Sequence, residues 1–217
     1  MESPGNVTVR ALRDLALLAG AGLAAASLWA ASIPRDEPCM VDAQTWQDAV
    51  AAAATGDWPQ DGWYRLVPRE RAVDVRAVTP ADRSLVPSDA LFLRLPGATL
   101  KQGARPAYRY ASGLKHPRLG QDYALTLGAT QFSLRVENGA KGMEYAIGYG
   151  GQSYSYALGP FDASSTAVRL VADLDGDALP DFVVEVGDAT YLLLSTRALP
   201  GPNLPTAELW ARGDDGC

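Results

Sequence analysis

Cysteine and histidine are nearly absent: two of the first and one of the second in 217 residues. A zinc centre needs three or four nitrogen or sulfur ligands at one point, which Cys39, Cys217 and His116 do not offer. A Ser-His-Asp triad would rest wholly on His116, in the loop-like segment Lys115-His116-Pro117-Arg118. The nearest thing to a nucleophile elbow, Gly151-Gln152-Ser153-Tyr154-Ser155, lacks the closing glycine and the strand-to-helix setting. Positive charge is scarce too. Lys and Arg number 19 against 25 Asp and Glu, a net charge of -6, although Lys101 to Gly120 is locally basic. That balance argues against a nucleic-acid surface. Helices interleaved with strands are missing, which excludes a parallel α/β sheet and a nucleotide-binding domain. Asp173-x-Asp175 therefore does not read as the metal motif of a nucleotide-sugar transferase. No internal repeat is visible.

What is present begins at the N-terminus. Arg10 and Arg13 precede an apolar run from Leu15 to Ala31, then Ser32 and the charged segment Arg35-Asp36-Glu37. Basic flank, apolar run and small residues are the layout of a secretory signal over residues 1–32, with cleavage after Ser32 or Ala26. The same run stands at the lower length limit of a membrane anchor, so an uncleaved segment is the alternative. Either way, residues 33–217 are expected outside the cytoplasm, periplasmic or secreted. The acidic residues before Cys39 do not fit a lipoprotein. In an oxidising compartment the isolated pair Cys39 and Cys217 reads as a disulfide closing almost the whole exported part. Such a link would remove at most about 5 kcal/mol of unfolded-chain entropy.

Apolar residues make up 47% of the chain, enough for a real core. Asp42 to Ala54 reads as one short helix, with Thr45 and Asp48 in a capping arrangement and Gly56 as a stop. From Trp63 onward short β-type runs alternate with turn residues. Strands are expected at Trp63–Val67, Ala72–Val78, Ala90–Leu95, Tyr123–Leu127, Gln131–Glu137, Met143–Tyr149, Tyr154–Leu158, Val168–Ala172, Phe182–Val186, Tyr191–Ser195 and Ala207–Ala211. Lys101 to Gly120 reads as a loop with one strand at Tyr108–Tyr110. Asn138-Gly139, lengthened by Ala140-Lys141-Gly142, and Gly150-Gly151 are turn signals. The fold class is mainly β, an antiparallel sandwich or barrel with one N-terminal helix after the signal segment.

One segment carries chemistry. Asp173-Leu174-Asp175-Gly176-Asp177-Ala178-Leu179-Pro180-Asp181 places carboxylates at loop positions 1, 3, 5 and 9, with the Leu179 carbonyl at position 7. A hard cation such as calcium wants six to eight oxygens, and alternating aspartates in a tight loop converge on one point. Ala178 and Val184 stand where an EF-hand has its glycine and glutamate, and both flanks are β-type. This is a loop between strands.

Asp173-Leu174-Asp175-Gly176-Asp177 followed by Leu179-Pro180-Asp181-Phe182-Val183-Val184 resembles the calcium loop of FG-GAP repeats, the integrin α-type and VCBS-like family. The resemblance implies calcium bound in a β-hairpin by Asp173, Asp175, Asp177, Asp181 and the carbonyl of Leu179. It covers the loop and its flanking strands only, and that family's propeller uses many such repeats. Where the family usually has glycine this chain has Ala178, which strains the loop if the position needs a positive φ. The run Tyr149 to Leu199 also resembles exported bacterial proteins of unassigned function with a single such loop.

The expected function is thus an exported, non-enzymatic calcium-binding β-domain, structural or presenting a surface to an envelope glycan or protein. Membrane contact is expected only through an uncleaved N-terminal segment. Two aromatic groups, Trp46, Trp58, Trp63 and Tyr64, and Tyr145, Tyr149, Tyr154 and Tyr156, are either core or a binding face. The alternative function is an extracellular hydrolase using carboxylates among Glu137, Glu144 and Glu185.

Overall fold

The computed structural model describes residues 37–52, 62–79, 82, 86–109, 114–160 and 163–209. Both readings of residues 1–32 fall outside them, as do Trp58, Cys217 and the last two residues of the expected helix. Among the described residues no helix is long and apolar enough to cross a membrane.

Among the described residues fourteen strands and one α-helix follow one another in the order β1 (Cys39–Asp42), α1 (Ala43–Ala52), β2 (Trp63–Pro68), β3 (Ala72–Ala77), β4 (Leu91–Arg94), β5 (Gly103–Arg109), β6 (Asp122–Leu127) and β7 (Thr130–Gly139), then β8 (Gly142–Tyr149), β9 (Gln152–Ala157), β10 (Thr166–Ala172), β11 (Asp181–Val186), β12 (Ala189–Leu193), β13 (Gly201–Asn203) and β14 (Ala207–Glu208). Nine strands make one sheet in the order β1-β4-β2-β3-β5-β10-β11-β12-β14, and its two edges meet through a bridge between Met40 and Leu209. The other five, β13-β9-β8-β7-β6, form a second sheet. The strand ladders are antiparallel except for β13 on β9, and the bridge between Met40 and Leu209 is parallel as well.

Alternation explains how the large sheet nearly closes. Each of its nine strands sends side chains to one interior cluster, including Met40, Leu66, Val75, Leu93, Ala107, Leu170, Val183, Leu192 and Ala207. The intervening residues face outward and build two more layers. On β10 to β12, Val168, Val171, Phe182, Val184 and Leu193 pack against Phe132, Leu134, Val136, Tyr145 and Ile147 of the second sheet. Val168 and Val171 share a face although three residues apart, because a bulge between Val168 and Leu170 shifts the register. On the other side, Trp63, Val67 and Phe92 receive α1. Trp46 of the helix stacks on Phe92 at 4.0 Å and meets Trp63 edge-on at 5.2 Å. Within residues 34–217 the described strands therefore make a nearly closed barrel with a sheet packed on one flank and a helix on another, combining the two architectures the strand pattern allows.

Several local expectations need correcting. The helix is capped by Asp42, whose Oδ1 accepts the Thr45 N–H at 2.7 Å, rather than by Thr45 and Asp48. Asn138 and Gly139 belong to β7, and the two-residue turn is Ala140-Lys141, since Gly139 pairs with Gly142. The glycine at 142 is required: its φ is +112°, and a Cβ there would meet the Gly159 carbonyl oxygen at 2.2 Å. Gly150-Gly151 does form a hairpin turn, both residues at positive φ between Tyr149 and Gln152. β5 is a full strand despite Pro106, where only Tyr108–Tyr110 was expected. β1 and β13 were not anticipated either; four and three residues give too little alternation to read.

Candidate metal centre

β10 and β11 pair through Ala172 and Asp181, and residues 173–180 form the turn between them. Leu174 is buried in the barrel interior at 1% exposure, so position 2 of the loop is a plug. Its neighbours are held outside. Asp173, Asp175 and Asp177 each bring one carboxylate oxygen within 4.8 Å of the others. Asp173 is buried, Asp175 half-buried and Asp177 exposed. Such an all-oxygen donor set suits a hard divalent cation better than a soft one.

The aspartates also shape the loop. Asp173 Oδ1 accepts the N–H of Gly176 at 2.8 Å and of Ala178 at 3.3 Å. Asp175 Oδ1 accepts the Asp177 N–H at 3.2 Å, and Asp177 Oδ1 accepts the Leu179 N–H at 2.7 Å. The segment after β12 closes one side: Thr196 Oγ1 donates to Asp175 Oδ2 at 2.7 Å, and Ser195 Oγ, whose single hydrogen goes to Asp181, lies 3.0 Å from Asp177 Oδ2. Thr130 Oγ1 donates to the Ala178 carbonyl at 2.7 Å. On the barrel side Arg105 is ion-paired with Asp173 Oδ2.

Asp181, the fourth aspartate of the loop, is not in the cluster of the other three and is buried at 1% exposure. Its Oδ1 accepts both the N–H and the hydroxyl of Ser195, at 2.8 and 2.7 Å, and its Oδ2 accepts the Leu174 N–H at 2.7 Å. Three of its roughly four lone-pair positions are thus taken. Burial, then the charge of Asp175, push its carboxyl well above the usual range despite those hydrogen bonds. Burial followed by Asp175 raises Asp177 as well. Tyr156 is pushed up to about 12 by burial and then by the Asp181 charge. Negative charge is crowded here, and a cation would relieve it.

Ala178 has φ +67°, the one non-glycine residue at positive φ among those described. A left-handed alanine costs about 1–2 kcal/mol, against the 0.5–1 kcal/mol that glycine loses in chain entropy. Ala178→Gly is therefore expected to stabilise the protein by about 0.5–1 kcal/mol. Urea unfolding checks this, and an unchanged or lower midpoint would mean the turn carries no strain.

The other sequence candidates do not join this site. Glu137 and Glu144 are cross-strand partners on β7 and β8, on the outward face of the second sheet. Glu185 is on the barrel, 3.6 Å from Arg169. His116 and Ser153 are exposed. Trp46, Trp63, Tyr145, Tyr149 and Tyr156 are core, and only Tyr64 and Tyr154 are partly open. Cys39 is buried on β1 and is not a free thiol. Sequence reasoning missed Arg105, Ser195, Thr196 and Thr130. They lie 14 to 68 positions from their loop partners, and only the strand pairing brings them close.

No protein-family model, no curated protein and no solved structure matches this chain. The centre stands on its own geometry.

Proposed function

We propose that this protein is an exported β-domain that binds one calcium ion in the turn 173–181, and that the ion's role is structural. The observation that carries this reading is the convergence of Asp173, Asp175 and Asp177 within 4.8 Å. The turn's likeness to FG-GAP loops favours calcium among hard cations, and would add Asp181 and the Leu179 carbonyl as ligands. Asp181 keeps one lone-pair position on Oδ2 for that purpose. The ion would tie together the two ends of the turn, where β10 and β11 of the barrel wall meet it. Export is supported by the basic and apolar layout of residues 1–32.

Isothermal titration of the chelator-stripped chain with calcium tests the binding. One saturable site lost in Asp175→Ala supports it; no heat above dilution at millimolar calcium sinks it. The export reading also proposes a Cys39–Cys217 disulfide. Intact protein should then migrate differently with and without reductant, and identical migration would count against the bridge. Any glycan or protein ligand would meet the loops or the outward face of the second sheet.

A further inference from the structure

The turn holds a second charge device that needs no ion. β5 is shared along its length: Gly103 to Pro106 pair with β3, while Ala107 to Arg109 pair with β10. The β10 ladder ends at Ala172 opposite Ala107, so the turn leaves the sheet beside Arg105. At that point the Arg105 side chain takes over from the backbone. Its Nε donates to the Asp173 carbonyl at 2.9 Å, and its guanidinium also donates to Asp173 Oδ2. Both partners are largely buried, Arg105 at 19% and Asp173 at 9% side-chain exposure. Asp173 Oδ1 in turn holds the amides of Gly176 and Ala178. One residue on, the Lys101 N–H donates to the Leu174 carbonyl at 2.8 Å. Among the described residues this is the one ion pair that reaches the turn.

We infer that Arg105 is a resident counter-cation that keeps the turn in its folded shape in the absence of metal. A forked guanidinium bonded to a carboxylate and to its own backbone carbonyl fixes position and direction together, which a point charge does not. Through Asp173 that fixity passes to Gly176 and Ala178, the tip of the turn. Calcium, on the reading proposed above, would then add to a preformed turn rather than create it.

Hydrogen exchange on the full chain in chelator tests this. In Arg105→Gln the amides of Gly176, Ala178 and Leu179 should exchange about tenfold faster or more, while β7 amides keep their protection. Arg105→Lys should fall between, because it keeps charge and loses the fork. Asp173→Asn should open the turn like Arg105→Gln, and serves if that variant unfolds as a whole. Wild-type exchange rates in Arg105→Gln would overturn the inference, as would full protection in Asp173→Asn. Adding calcium separates the two readings. Restored protection in Arg105→Gln supports both, whereas a turn that opens without Arg105 and ignores calcium keeps the latch and sinks the calcium site.

Discussion

Calcium at about 10 mM is expected to raise the melting temperature by roughly 5–10 °C, and Asp175→Ala to abolish the rise. A site with Kd near 10⁻⁴ M, ordinary for extracellular modules, gains about 2.7 kcal/mol at a hundredfold excess of ligand. For a domain of this size each kcal/mol is worth about 2–4 °C. Asp175 is the informative position because it does least for the fold. It is half-buried, its oxygens accept the Asp177 N–H and the Thr196 hydroxyl, and its carboxyl is also in hydrogen-bond contact with that of Asp177. Its charge is also a cause of the raised carboxyls of both Asp177 and Asp181. In chelator, then, Asp175→Ala should melt at or slightly above the wild type, since it removes repulsion and little else. With calcium the order should reverse. Scanning calorimetry of both proteins in both buffers gives four numbers, and the crossing is the signature. If calcium moves wild type and variant equally, the turn is not where it binds.

The turn was legible in the sequence because its information is local. Four aspartates at alternating spacing, a glycine and β-type flanks specify a strand-to-strand carboxylate loop without knowledge of anything distant. Ala178 was legible for the same reason, and its φ of +67° is what a position normally held by glycine requires. Most strands could be read because one face alternates, as in Phe132, Leu134 and Val136. The sequence could not say how the strands pair. β10 meets β5 across some sixty intervening residues, and that contact alone places Arg105 on Asp173. Nor did it separate barrel from sandwich, since β10 and β11 are buried on both faces and serve both layers. Position 9 shows the limit most clearly. By spacing Asp181 is simply a fourth carboxylate, whereas its surroundings make it the base on which the turn stands.

That base gives the sharpest contrast with Asp175. Asp181→Ala is expected to cost about 3 kcal/mol in chelator, and more in calcium, where a ligand is lost as well. Asp181 opens β11 opposite Ala172 and joins three segments: the turn at Leu174, its own strand, and the Ser195 turn after β12. Alanine would leave the N–H groups of Leu174 and Ser195 buried without their acceptor, while the Ser195 hydroxyl could still turn to Asp177. A hydrogen bond to a charged acceptor is worth about 1.5–3 kcal/mol, and relief of the buried charge offsets part of losing two. Ser195→Ala removes only the hydroxyl contacts and should cost about 1 kcal/mol. Urea unfolding reads both as lower midpoints at unchanged slope. A loss for Asp181→Ala that appears only when calcium is present would make the residue a ligand first. An equal loss in both buffers would mean the protein keeps a carboxylate there to hold its own backbone.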